Sequence, residues 1–239
     1  MANIMNLETI SYALMGGVLP ALVWLSFWLQ EDYRHPEPRK LLLKTFLFGM
    51  VAVFLVIPFQ KVVQIFSPDI TMATLVVWAV FEEVAKFVAA YFGGLKSIED
   101  NEPLDPLVYM ITAALGFVAL ENALFLVGPL IGDNQILENY IVTGNLRFIG
   151  ASLLHIVCSG IVGAALAFSF YKNRVAHHKA ILIGIIGAIV VHAAFNTLII
   201  FWGGKGMLIA FAGIWVGVLI LLLLFEKVKT IARASEEGI

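Results

Sequence analysis

The chain has 239 residues, 61% of them apolar and only 13% charged, with a mean hydropathy of +0.94 and a formal net charge of −2. That composition excludes an ordinary water-soluble domain and places the chain in a bilayer, with lipid and other membrane proteins as its expected partners and no nucleic acid. Residues 1–239 suit a single helical-bundle domain with no room for a separate soluble one, and the lone cysteine, Cys158, lies inside an apolar run and excludes a disulfide framework.

Runs of about 20 apolar residues, the length that crosses a hydrocarbon core, fall at 9–29, 41–59, 71–94, 107–131, 148–171, 180–202 and 207–225. The first has no basic n-region and no A-x-A-like end, so no cleavable signal is expected. QEDYRHPEPRK separates it from the second, and QKVVQIFSPDI, beginning at Gln60, reads as the next connection. The third run, WAVFEEVAKFVAAYF, carries Glu82, Glu83 and Lys86 near its middle, and the fourth, GFVALENALF, carries Glu121 and Asn122. In the polar connection that follows, residues 136–141 suit a short interfacial piece. The fifth run, RFIGASLLHIVCSG, holds His155; the sixth, VVHAAFNTL, holds His192 and Asn196; GGKG leads into the seventh. No fixed-period repeat and no linker is present. The expected fold is therefore all-α, a polytopic membrane bundle of about seven transmembrane helices.

Lysine and arginine set the orientation, because cytoplasmic loops hold an excess of them. Arg34, Arg39, Lys40, Lys96, Lys172, Arg174, Lys179, Lys227, Lys229 and Arg233 collect on one side, against Lys61, Arg147 and Lys205 on the other. With an odd number of spans, the amino terminus is expected outside and the carboxy terminus in the cytoplasm. Alternating helix direction then puts Glu82, Glu121, His155 and His192 roughly 17, 15, 11 and 15 Å below the outer ends of their spans, at a rise of 1.5 Å per residue. Ionisable groups at such depth are costly and face each other or water in preference to lipid. Within each helix, residues four apart share a face, so Glu82 aligns with Lys86, Phe117 with Glu121, and His192 with Asn196, while Glu83 is turned aside and can pair with Lys86 or a neighbouring helix.

These residues resemble the PrsW-type intramembrane proteases, relatives of the CAAX-processing endopeptidases and the bacterial Abi membrane proteins. The resemblance rests on EEVAK at Glu82 to Lys86 (EExxK), FVALE at Phe117 to Glu121 (FxxxE, continued by Asn122) and HAAFN at His192 to Asn196 (HxxxN), in order and on separate spans. RHPEPRK is similar to the family's acidic, proline-rich segment, with His35 at its first acidic position. What the resemblance implies is an intramembrane endopeptidase of the cell membrane, cleaving a membrane-anchored substrate of the anti-sigma-factor kind. Glu82 would activate the water, Glu121 would help hold it, and His192 and Asn196 would stabilise the oxyanion, with Glu83 completing the catalytic group and Lys86, Asn122 and His155 in support. Glu82, Glu121, His155 and His192 are equally the nitrogen and oxygen donors that hold a catalytic divalent metal, zinc first among them. A metal-free glutamate mechanism is slightly preferred, because no HExxH pair lies on one helical face.

Simpler readings stand beside these. Glu83 with Lys86 suits a structural ion pair, and His155 a packing residue beside Ser152 and Ser159. The intramembrane glycines suit close helix contacts, and Trp24, Trp28, Trp202 and Trp215 suit interfacial or lipid packing. An ion- or proton-coupled transporter would also place carboxylates and histidines at midplane, but its usual pointer, two halves with matching broken helices, is missing.

Overall fold

The computed structural model describes residues 7–131 and 142–236, and among these every regular element is helical. In chain order the helices are α1 (Leu7–Leu29), α2 (Arg39–Phe66), α3 (Met72–Ala90), α4 (Asp105–Ile131), α5 (Ser152–Ala167), α6 (Arg174–Phe201) and α7 (Gly203–Glu236). A 3₁₀ turn (Gln30–Asp32) follows α1, and π-helical turns follow α3 (Tyr91–Leu95) and precede α5 (Arg147–Ala151). The expected interfacial piece at 136–141 lies outside the described residues.

Two helices run past the ends read from the sequence. Apolar residues continue at Val62, Val63, Ile65 and Phe66, so α2 carries on through Pro58 to Phe66 and absorbs the start of the expected connection. The last helix starts at Gly203, whose φ of +57° turns the chain straight out of α6, and it extends to Glu236. Among the described residues, six helices are long and apolar enough to cross a membrane. The α3 helix, with Glu82, Glu83 and Lys86 among its 19 residues, is not one of them.

Local chemistry starts these helices where they start. Thr71 caps α3 by accepting from the Thr74 amide at 3.2 Å, while the Thr74 hydroxyl accepts from the Thr71 amide at 3.3 Å. Asn173 caps α6, its Oδ1 accepting from the Ala176 amide at 3.0 Å. Asp105 opens α4, and its Oδ2 accepts from the amides of Asn101 and Glu102, each at 2.8 Å.

Helix α4 is the axis of the bundle. Residues 103–120 are all buried, as expected of a helix apolar all round its circumference. Helices α1, α2 and α5 pack directly on it, and α6 and α7 pack on α5. Its contact with α2 is backbone to backbone: a Cβ at Gly49 would overlap the Ala113 carbonyl, and one at Gly116 would overlap the Phe46 carbonyl. The acidic, proline-rich segment is fastened to the same axis, because the Tyr109 hydroxyl donates to Glu37.

Trp202 and Trp215 are exposed on the outside of the bundle, as lipid packing requires, but Trp24 and Trp28 depart from that reading. Trp28 is only 2% exposed and stacks on Phe225 of α7 at 5.3 Å, and Trp24 donates its indole N–H to the Phe148 carbonyl at 3.1 Å. Both tie α1 into the bundle through partners more than a hundred residues away, which local hydropathy does not reveal.

Candidate active site

Five helices bring the polar residues of the apolar runs to one place. Gln60 comes from α2; Glu82, Glu83 and Lys86 from α3; Glu121 and Asn122 from α4; His155 from α5; His192 and Asn196 from α6. Two faces of α3 divide the work. Glu82 is turned towards a cavity of about 620 Å³ whose lining includes Glu121, Arg147, His155, His192 and Asn196. Glu83, one residue on and so about 100° round the helix, is turned into the protein, where Lys86 is also completely buried.

The interior network is continuous. Lys86 Nζ lies 2.6 Å from Glu83 Oε1 and 2.8 Å from His155 Nδ1. His192 Nδ1 lies 2.6 Å from the same Glu83 oxygen. Glu83 and Lys86 are therefore more than an ion pair: they hold the inner edge of both imidazoles, which meet edge to face with centroids 5.2 Å apart. The expected alignment of Lys86 with Glu82 does not become a contact. Lys86 leans three residues back to Glu83 and across to His155, because a buried ammonium needs an acceptor for each N–H and Glu83 with His155 supplies two.

The outer ring nitrogens face carboxylates. His192 Nε2 is 3.5 Å from Glu82 Oε2, and His155 Nε2 is 3.4 Å from Glu121 Oε2. One atom each from Glu82, His155 and His192 lies within 4.8 Å of the others, and all three side chains are buried. Glu82 Oε2 has no hydrogen-bond partner among the described residues. An orphaned carboxylate oxygen beside two imidazole nitrogens fits a divalent cation, since zinc takes this donor set at about 2.0–2.2 Å. A second trio, Glu83, Cys158 and His192, also falls within 4.8 Å. Its glutamate is already bonded to Lys86, and neither Glu83 nor Cys158 lines the cavity.

Two partners were missed by reading the sequence for site residues. Gln60 Nε2 donates to Glu82 Oε1 at 2.8 Å, fixing the carboxylate from α2. Gln60 opens the segment QKVVQIFSPDI, which the sequence reads as a connection, and its distance from any other intramembrane polar residue in the sequence hid it. Arg147 pairs with Glu121, donates from Nε to Asn122 Oδ1 at 2.6 Å, and sits 3.8 Å from the Phe125 ring centroid. Its position eight residues before His155 was legible, but the π-helical turn that swings it onto Glu121 was not. Asn196 lines the cavity one turn beyond His192, and Asn122 Nδ2 reaches Ser152 Oγ at 3.4 Å.

A membrane-embedded helical bundle with a cavity lined by glutamate, histidine and asparagine carries the groups that hydrolysis within the lipid layer needs. The sequence comparisons agree. The model of the PrsW family of intramembrane metalloproteases matches residues 37–225, and the chain belongs to that family. A Protease PrsW of Geobacillus kaustophilus (strain HTA426) is 30% identical over 167 residues, covering 68% of this chain and 67% of that one. A Protease PrsW of Bacillus subtilis (strain 168) is 25% identical, covering 69% and 70%, and that of Halalkalibacterium halodurans is 21% identical, covering 79% and 84%. No solved structure matches. The chain is thus a multi-pass membrane protein and an intramembrane endopeptidase. The family's description as metalloproteases favours metal chemistry over the metal-free mechanism preferred from the sequence alone.

Proposed function

We propose that the protein is a zinc-dependent endopeptidase that cleaves a membrane-anchored signalling protein of the anti-sigma-factor kind, at a bond near the outer half of the bilayer. The observation that carries this reading is the convergence of Glu82 Oε2, which has no partner among the described residues, with the two histidine rings at the wall of one cavity. The donors for the metal are drawn from His192, Glu82, Glu121 and His155. Bound there, zinc would supply Lewis-acid polarisation of the scissile carbonyl and a water acidic enough to attack it.

The remaining steps belong to the chain. Glu82 takes the proton of the attacking water and returns it to the leaving amine as the C–N bond breaks, with Gln60 holding its other oxygen so that the accepting lone pair stays aimed at the cavity. Glu121 is unsuited to that task, because Arg147 stabilises its anion. Asn196 offers amide N–H donors to the oxyanion from the helical turn after His192. A substrate helix must unwind locally, since its peptide bonds are otherwise shielded by their own hydrogen bonds.

The bundle acts as one domain spanning the membrane seven times, with α3 as the polar span and the amino terminus outside. Its test is a tagged single-span membrane protein with a glycine-interrupted span, co-reconstituted in liposomes with the purified enzyme. Cleavage is expected from the wild type, lost in Glu82→Gln, lost on stringent chelation and restored by zinc. Cleavage that survives chelation ends the metal-dependent reading, and Glu82-dependent ion flux without cleavage ends the protease reading in favour of a carrier.

A further inference from the structure

Distance alone would make His155 and His192 equivalent ligands. Their inner nitrogens make them opposites. His192 Nδ1 faces Glu83 Oε1 at 2.6 Å, and a carboxylate only accepts, so Nδ1 carries a proton and Nε2 is the nitrogen left to present a lone pair beside Glu82. This is the carboxylate–histidine–metal arrangement, in which the outer partner fixes ring and tautomer. His155 Nδ1 faces Lys86 Nζ at 2.8 Å, and Lys86, ion-paired with Glu83 at 2.6 Å, only donates. Nδ1 must therefore accept, and the proton of the neutral ring sits on Nε2, pointing at Glu121 Oε2 3.4 Å away. A protonated Nε2 has no lone pair for a metal.

We infer that Lys86 and Glu83 set the two histidines in opposite tautomers, so that His192 binds the metal while His155 is a positioning residue that donates Nε2–H to Glu121. Of the two histidines, His192 alone then keeps a lone pair for the metal on the nitrogen that faces the cavity carboxylate Glu82. Glu83 stands behind His192, while His155 and Arg147 together hold Glu121. Lys86, touching both Glu83 and His155, keeps the two halves in register. The ligand assignment rests on the zinc-dependent reading above; the tautomer assignment does not.

Two readouts test it. In the metal-free protein with ring-15N histidine, His155 Nδ1 is expected to resonate as a pyridine-type nitrogen and His192 Nδ1 as a pyrrole-type one. On adding zinc, only the His192 signals are expected to move to metal-bound positions. Zinc content then separates the roles: His192→Gln is expected to abolish stoichiometric zinc, His155→Gln to retain it because the amide can both accept from Lys86 and donate to Glu121, and His155→Leu to weaken affinity about 10–100-fold, the usual cost of losing an outer partner. A pyrrole-type Nδ1 on His155, or loss of zinc from His155→Gln as complete as from His192→Gln, overturns the inference. A wild-type protein that takes up no zinc overturns the zinc-dependent reading and the ligand assignment together, while the metal-free spectrum still decides the tautomers by itself.

Discussion

Glu83 shows how one intramembrane carboxylate is made tolerable: a single oxygen receives both Lys86 and His192, and the residue is 1% exposed. Removing one member of such a buried pair strands the other, at about 3–5 kcal/mol. Lys86→Met is therefore expected to lower thermal stability in detergent by that order. The double variant Glu83→Gln with Lys86→Met should recover much of the loss, because no unpaired charge remains. A second residue-scale expectation lies outside the spans. Burial, and then the nearby Asp105 carboxylate, push the Asp100 carboxyl up from 3.8 to about 7, and its Oδ1 has no partner among the described residues. The folded protein thus binds a proton that the unfolded chain releases between about pH 4 and 7, so this group's contribution to stability falls as pH rises through that window. Asp100→Asn is expected to raise the melting temperature at pH 8 and leave it nearly unchanged at pH 4; a larger gain at pH 4 would reverse the sign.

At the scale of elements, the site depends on α4 standing close to α2, since Glu121 and Gln60 reach the cavity from these helices. Gly49 and Gly116 set that closeness from opposite sides, each meeting a backbone carbonyl of the other helix. Backbone cannot move aside as a side chain can, so Gly116→Ala is expected to cost about 1–3 kcal/mol, the range for overpacking a tight core. Gly213 on α7, where a Cβ would meet nothing within 4 Å, is the control: Gly213→Ala should hold or raise the unfolding transition, by up to about 1 kcal/mol from helix propensity, and not lower it. Thermal unfolding of the two variants side by side checks both. The π-helical turn at Arg147–Ala151 is the other element that matters, because it is there that Arg147 engages Glu121 and Asn122.

For the whole molecule, the excess of lysine and arginine on one side predicts an amino terminus outside and a carboxy terminus inside. Cys158 is fully buried, so single cysteines introduced elsewhere report topology cleanly. Glu99→Cys, in the connection between α3 and α4, is expected to resist a membrane-impermeant maleimide in intact cells, and Gly204→Cys, where α7 begins, to react with it. The reverse pattern would invert the molecule in the membrane and move the cavity towards the cytoplasmic face.

Hydropathy and spacing by themselves determined the bilayer setting, the helical class and, among the polar residues that share the cavity, Glu82, Glu121, His155, His192 and Asn196, because a polar group in hydrocarbon is costly enough to be visible in a single chain. EEVAK, FVALE and HAAFN carried the family resemblance. Tertiary structure alone decided who partners whom. Gln60 became part of the site only because α2 continues past Pro58, and Glu83 proved to reach His192 109 residues away. Such pairings depend on helix rotation and on backbone approach at glycines such as Gly49 and Gly116, which no local pattern encodes. The difference between the two histidines lies further still from the sequence, in whether the atom behind each Nδ1 gives a proton or takes one.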